Sequence, residues 1–166
     1  MPELEKYDMS KFLENCEKMN LTLSTEQQKQ FIRYYELLVE WNTFMNLTGI
    51  TEFQEVLQKH FEDSLAVVKG TDLFSVKSVM DIGTGAGFPG LPLKIAFPHL
   101  KVVLLDSLGK RVKFLNHVIE ELRLEDITAI HGRAEDFARK EEYREQFDLV
   151  VSRAVSNLSS LSEYCI

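Results

Sequence analysis

The pattern of hydrophobic and polar positions divides the chain into two parts. Up to residue 70, apolar side chains recur at the spacing of an amphipathic helix. From residue 75 onward, short apolar runs rich in β-branched residues alternate with helical patterns. We therefore expect an N-terminal helical cap at residues 1–70 and a separate α/β domain at residues 71–166.

The first part predicts three helices, at residues 8–20, 24–49 and 51–70. Two capping boxes, in which a hydroxyl residue precedes a glutamine by three positions, mark helix starts at Ser24 with Gln27 and at Thr51 with Gln54. Large side chains follow the second helix at helical spacing, and we interpret them as core residues rather than as a binding surface. They are Phe31, Tyr34, Tyr35, Leu38, Trp41 and Met45.

The second part predicts an open parallel sheet. Continuous apolar runs indicate strands at residues 76–82, 101–106, 127–131 and 147–151, and helical patterns at 91–97, 110–122 and 135–144 fill the gaps. Strands that alternate with helices form right-handed βαβ units, and continuous apolar strands suit a sheet covered on both faces. The fold class is therefore α/β, with a doubly wound, mostly parallel sheet.

The chain ends inside a helical pattern that begins near Ser156. Four parallel strands form only part of a doubly wound sheet and leave an edge unpaired. We therefore expect the chain to be incomplete at its C-terminus.

Composition narrows the class of protein. The net charge of −7 argues against a protein that coats nucleic acid along its whole surface, but not against one local basic patch. No stretch approaches the roughly 18 apolar residues of a membrane span, and the first residues lack the apolar region of a signal peptide. Cys16 and Cys165 have neither metal-site nor redox spacing, so we predict no metal site. We expect a cytoplasmic protein without a membrane partner.

The stretch 81–90 reads Asp-Ile-Gly-Thr-Gly-Ala-Gly-Phe-Pro-Gly and lies between a predicted strand and a predicted helix. Glycines in that context are typical of a ligand site, because they allow a positive φ and a close approach to the backbone. The carboxylate of Asp81 is unfavourable beside a pyrophosphate, which binds bare N–H groups. It suits the ammonium and sulfonium groups of S-adenosylmethionine, which the loop therefore indicates as the cofactor.

The ends of the following strands offer further contacts, because a doubly wound sheet binds its ligand at the carboxyl ends of the strands. Asp106 ends the second strand, where a carboxylate can accept hydrogen bonds from both ribose hydroxyls. Ala134 and Glu135 follow the third strand, where an adenine edge can find a backbone N–H and a side-chain acceptor. Arg153 follows the fourth strand and is a candidate for cofactor or substrate contact.

A second interpretation of the glycine loop stays open. Gly85, Gly87 and Gly90 match the dinucleotide pattern G-x-G-x-x-G, with Asp106 as the ribose acid, so an NAD(P)-dependent oxidoreductase is the alternative. Asp81 argues against it, and so do the bulk of Phe88 and the missing N–H of Pro89. A proton relay for hydride chemistry is also not evident in the sequence.

Several segments resemble one protein family. They are the loop at 81–93, Leu-Leu-Asp-Ser-Leu-Gly-Lys-Arg-Val-Lys-Phe-Leu at 104–115, Gly-Arg-Ala-Glu-Asp at 132–136, Val-Ser-Arg-Ala at 151–154, and the helical segments at 41–48 and 60–64. Together they resemble the bacterial RsmG family, also called glucose-inhibited division protein B. The resemblance runs from about residue 25 to the end of the chain.

The resemblance implies a Rossmann-like fold of the class I S-adenosylmethionine-dependent methyltransferases. It implies methylation of N7 of one guanine in 16S ribosomal RNA. It also implies that family members continue past residue 166 with further strands. The expected partner is therefore 16S ribosomal RNA or a precursor of the small ribosomal subunit, rather than DNA, and we expect a monomer. A truncated chain that binds S-adenosylmethionine without turnover is the non-enzyme alternative.

The resemblance places cofactor contacts at Gly83, Phe88, Ala134, Glu135 and Arg153. The physical interpretation above adds Asp81 and Asp106 to these contacts, and it gives Gly85 a place in shaping the loop.

Guanine N7 has a lone pair and no proton, so the expected reaction needs no general base, and the sequence identifies no catalytic residue.

Lys110, Arg111 and Lys113 open the helix after the second strand. Positive charge opposes the macrodipole at a helix N-terminus, so we interpret the three as RNA-phosphate contacts rather than ordinary surface charges. Four residues of the helical part are candidates for the mouth of the site, with a packed histidine as the alternative for His60. They are Asn46, Thr48, His60 and Asp63.

Overall fold

The structure is a computed structural model that describes residues 6–133, 135–136 and 147–152. A four-stranded sheet is formed by β1 (Ser78–Ile82), β2 (Lys101–Asp106), β3 (Ile127–His131) and β4 (Leu149–Val151). All three strand pairs are parallel, and the spatial order is β3-β2-β1-β4. The chain moves outward from β1 to β3 and then returns to the other side of β1, which confirms the doubly wound sheet.

The predicted strand bounds hold for β2 and β3, whereas β1 and β4 each begin two residues later than predicted. Two helices connect the strands: α5 (Gly90–Ala96) and α6 (Gly109–Glu121). Each begins and ends one residue before its predicted bounds. The helix predicted at 135–144 lies mostly outside the described residues, although residues 135 and 136 are helical.

The helical part begins with α1 (Ser10–Lys18) and α2 (Thr25–Asn42). The capping box at the start of α2 is confirmed: the Ser24 hydroxyl accepts from Gln27 N, and the Gln27 side chain accepts from Ser24 N. The helix ends at Asn42, earlier than predicted, because the Asn42 side chain accepts hydrogen bonds from the backbone N–H groups of Leu47 and Thr48 and so stabilises a turn.

A composite helix covers residues 53–69. It consists of α3 (Phe53–Val56), a π-helical turn (Leu57–Glu62), α4 (Asp63–Leu65) and a 3₁₀ turn (Ala66–Lys69). The predicted capping box at Thr51 is wrong, because Glu52 is the N-cap and its carboxylate accepts from Gln54 N at 2.5 Å. Within the described residues, no helix is long and apolar enough to cross a membrane.

One hydrophobic cluster joins the helical part to one face of the sheet. It includes Phe31 and Leu38 of α2, Phe61 of the composite helix, and Val79 and Leu104 of the sheet, all buried. A smaller cluster on the opposite face contains Met80, Ile82, Val103 and Leu105. The helical part is therefore packed directly against the sheet, and the boundary at residue 70 stays a prediction.

Cys16 is fully buried in this core, and burial raises the pKa of its thiol from 9.0 to about 12, with a smaller contribution from the negative charge of Glu62. The thiolate is the reactive form of cysteine. We therefore expect Cys16 to resist N-ethylmaleimide in the native protein at about pH 8 and to react once urea unfolds the chain. Peptide mass spectrometry separates Cys16 from Cys165, and equal labelling rates in both states would contradict the burial.

The same shift has a consequence for stability. Because the folded pKa lies above the unfolded one, the stabilisation from burying the neutral thiol is complete below pH 9.0 and is lost as the pH rises toward 12.

Candidate cofactor site

The glycine loop turns back over the end of β2. The backbone N–H groups of Gly83 and Thr84 both donate to the carbonyl oxygen of Leu105, at 2.8 and 3.1 Å. Gly83, Gly85 and Gly87 have φ values of +68°, +60° and +105°. These left-handed conformations explain why the loop is rich in glycine. A methyl group on Gly85 would meet no atom within 4 Å, so the space at that point of the loop is open.

Asp81 lies beneath the loop and is 0% exposed. Its Oδ2 atom accepts hydrogen bonds from the Thr84 hydroxyl at 2.6 Å and from Gly90 N at 2.8 Å. These bonds connect the end of β1 to the loop and to the first residue of α5. They give Asp81 a supporting position, and its direct contact with a ligand stays a prediction.

Asp106 holds the loop from the side of β2. Its Oδ2 accepts from Gly85 N at 2.8 Å, and its Oδ1 accepts from Leu108 N at 2.9 Å, with Arg111 Nη1 at 3.6 Å. The residue is 2% exposed. The predicted ribose bonds would therefore use the remaining lone pairs of oxygen atoms that already have backbone donors.

A cavity of about 410 Å³ lies at the carboxyl ends of β1, β2 and β3. This volume is in the range of small-ligand sites, and the position is where a doubly wound sheet binds its ligand. Two of the predicted cofactor residues, Gly83 and Glu135, line it. The other described lining residues are Ile82, Leu105, Ser107, Gly132 and Arg133.

Of those other lining residues, the sequence interpretation named none as a cofactor contact. Only their position in the sequence could have predicted these lining residues, because each lies within two residues of a predicted strand end. The residue types gave no such signal.

Phe88 is 7% exposed and packs against the helical part. Its ring is stacked on the His60 imidazole, with a centroid distance of 4.4 Å and an interplanar angle of 10°. A nitrogen of that imidazole lies 2.7 Å from the Thr48 hydroxyl. The Tyr34 hydroxyl donates to the carbonyl oxygen of Ala86 at 2.5 Å. These contacts with the helical part thus position the glycine loop, and they join residues that are far apart in the sequence.

The predicted cations lie in the first five residues of α6, which begins three residues after Asp106. Lys110 and Lys113 are exposed, and the Arg111 side chain is 38% exposed. Two predicted cofactor contacts, Ala134 and Arg153, lie outside the described residues.

This fold also occurs in solved structures of other proteins, among them two O-methyltransferases. The superposition on a protein-L-isoaspartate O-methyltransferase has a TM-score of 0.59 at 15% identity and covers 87% of this chain and 47% of that one. An O-methyltransferase from Bacillus cereus, in complex with SAH, gives 0.58 at 21% identity and covers 80% and 60%. At these identities the similarity concerns the fold alone, and that fold is the class I S-adenosylmethionine-dependent methyltransferase fold that the sequence predicted.

Comparison of the amino-acid sequence identifies the protein family. The family model described as rRNA small subunit methyltransferase G matches residues 27–166, and the chain belongs to this family. A ribosomal RNA small subunit methyltransferase G from Lachnoclostridium phytofermentans is 54% identical over 159 residues, which cover 96% of this chain and 66% of that protein. Its counterpart from Clostridium kluyveri is 54% identical over 151 residues, covering 91% and 64%.

The matched region thus spans just under two thirds of the length of these relatives. Membership in the family confirms the resemblance seen in the sequence and does not favour the oxidoreductase alternative.

Proposed function

We propose that the protein transfers a methyl group from S-adenosylmethionine to N7 of a guanine in 16S ribosomal RNA. The observation that supports this most directly is the cavity at the ends of three parallel strands, lined by Gly83 of the glycine loop, in a chain of the methyltransferase G family. The identity of the base and of the atom rests on the family resemblance.

The residues of the site fit S-adenosylmethionine in size and chemistry. The cavity has room for an adenosine group, and Glu135 at its edge is an acceptor for the adenine amino group. Gly83 allows a ligand to approach the backbone at the end of β1, and Phe88 supports the far end of the loop. Asp106 is the candidate for the ribose hydroxyls. Ala134 and Arg153 complete the proposed contacts by resemblance.

The proposed chemistry depends on alignment. When bound, S-adenosylmethionine supplies the methyl group, whose bond to sulfur breaks as the bond to N7 forms. The residues around the cavity are expected to hold the two reacting groups in line and to exclude water, an orientation effect that can lower the barrier considerably. Because N7 has no proton to lose, we assign no residue as a general base.

The proposed partner is 16S ribosomal RNA or a precursor of the small subunit, and such a substrate would place the protein in the cytoplasm. Lys110, Arg111 and Lys113 are the proposed phosphate contacts. They give the chain a local basic region in spite of its net charge of −7.

Calorimetric titration with S-adenosylhomocysteine, with NADH as the control, tests this proposal. We expect saturable binding of S-adenosylhomocysteine and no binding of NADH, since Asp81 and the Phe88-Pro89 pair disfavour a diphosphate. Circular dichroism would first establish that the 166-residue chain is folded. Preference for NADH would contradict the proposal in favour of an oxidoreductase.

Turnover is a separate measurement. Transfer of labelled methyl groups to small ribosomal subunits would support the enzymatic function. Cofactor binding without any transfer would instead support the alternative of a chain that binds S-adenosylmethionine without turnover.

A further inference from the structure

A second cleft lies beside the cofactor cavity. It has a volume of about 210 Å³ and is lined by residues 44–47 together with Leu108, Lys110 and Arg111. Ser107 lines the cofactor cavity, and the next residue, Leu108, lines this cleft. Consecutive residues of one loop therefore line the two sites. We call it the Phe44 cleft.

Two large apolar residues of the Phe44 cleft are exposed and are not part of the hydrophobic core. Phe44 is 65% exposed and Leu108 is 48% exposed. Only one other large hydrophobic residue in the described part of the chain, Phe74, is comparably exposed. An exposed aromatic ring and an exposed leucine that line the same concave site indicate a binding surface.

The charges around the Phe44 cleft indicate the kind of partner. Lys110 lies in the cleft and Lys113 is one helical turn further along α6; within the described part of the chain, neither forms an ion pair. Arg111 lies 3.6 Å from the Asp106 carboxylate, which offsets its charge in part. Lys110 and the exposed Phe44 ring line the same cleft and are complementary to a phosphate and a base, and Lys113 adds positive charge nearby.

We propose that the Phe44 cleft binds one unstacked nucleotide of single-stranded RNA, with its base against Phe44 and Leu108 and its phosphate at Lys110. Proteins that bind single strands combine these two elements, an aromatic platform and a positive groove. This proposal rests on the proposed function, because the cleft would hold the RNA beside the target base at the cofactor cavity.

The position of the cleft fits that role. Leu108 N donates to Asp106 Oδ1, and Asp106 Oδ2 accepts from Gly85 N. One carboxylate therefore connects the wall of the Phe44 cleft to the glycine loop, so an RNA strand in the cleft would lie next to the loop that holds the cofactor.

The test compares Phe44→Ala with Phe74→Ala, a control at a comparably exposed phenylalanine (72%, against 65% for Phe44) that lines neither site. Binding of a short fluorescein-labelled single-stranded RNA is measured by anisotropy. Loss of one stacked base is expected to weaken binding by roughly tenfold in Phe44→Ala. Phe74→Ala should bind like the unchanged protein, and Lys110→Ala should reduce the salt dependence of binding.

The location can be tested in the unchanged protein with unlabelled RNA. Trp41 is the chain's single tryptophan, and its ring centroid lies 5.3 Å from that of Phe44. RNA in the cleft should therefore quench its fluorescence. Equal affinity of Phe44→Ala and the unchanged protein, or binding without quenching, would overturn the proposal.

Three combinations of results separate this proposal from others. If Phe44→Ala weakens binding to intact small subunits but not to the RNA alone, the cleft contacts a ribosomal protein and the proposal is wrong. If S-adenosylhomocysteine fails to bind the unchanged protein, the proposed function fails. If it binds while Phe44→Ala keeps full RNA affinity, only the cleft proposal fails.

Discussion

Gly87→Ala is expected to destabilise the fold strongly. A methyl group at this position would lie 2.6 Å from the Tyr34 hydroxyl and closer still to a Leu91 methyl group, and both of those side chains are buried. The φ of +105° adds backbone strain for any residue with a Cβ. Overpacking and strain together should lower the free energy of unfolding by about 3–5 kcal/mol.

Two other glycines serve as controls in urea unfolding. A methyl group on Gly70 would meet nothing within 4 Å, and its φ is −113°, so Gly70→Ala should leave stability nearly unchanged. Gly85 also has open space but a φ of +60°, so Gly85→Ala should cost only the strain, about 1–2 kcal/mol. If Gly87→Ala were no more destabilising than Gly85→Ala, the tight packing of the loop against Tyr34 would be contradicted.

The strands could be predicted because their signal is local. The apolar run from Lys101 to Asp106 and that from Ile127 to His131 agree with the observed strands at both ends. The helical part was less predictable, because the ends of its helices depend on which polar side chain accepts hydrogen bonds from the backbone N–H groups. Asn42 and Glu52 do so, and periodicity alone did not distinguish them from their neighbours.

The candidate site was predictable in position but not in its internal contacts. The glycines and the strand ends located the cavity, and Gly83 and Glu135 do line it. The stacking of His60 on Phe88 and the bond from Tyr34 to Ala86 join residues 28 and 52 positions apart, and no local pattern encodes such pairs. The bond from Gly85 N to Asp106 spans 21 positions and was missed for the same reason. The bond from Leu108 N to Asp106 joins residues two positions apart, a local turn that the sequence interpretation did not consider.

Asp106→Ala is expected to weaken binding of S-adenosylhomocysteine by roughly 1.5–3 kcal/mol, or about 10- to 150-fold, which is the loss expected for a charged hydrogen bond. Two effects contribute to this expectation. The substitution removes the proposed acceptor for the ribose hydroxyls. It also leaves the N–H groups of Gly85 and Leu108 without their observed acceptor, which should loosen the glycine loop.

A double-mutant cycle with a modified ligand separates the two effects. Calorimetry would compare S-adenosylhomocysteine with its 2′,3′-dideoxy analogue on the unchanged protein and on Asp106→Ala. If Asp106 binds the ribose, the analogue should lose little affinity on substitution, because it lacks the hydroxyls that the carboxylate accepts. If Asp106 acts only by holding Gly85 and Leu108, both ligands should lose affinity equally, since the disordered loop affects them alike. The second result would contradict the ribose contact and leave Asp106 as a positioning residue, which its 2% exposure and its two backbone bonds also allow.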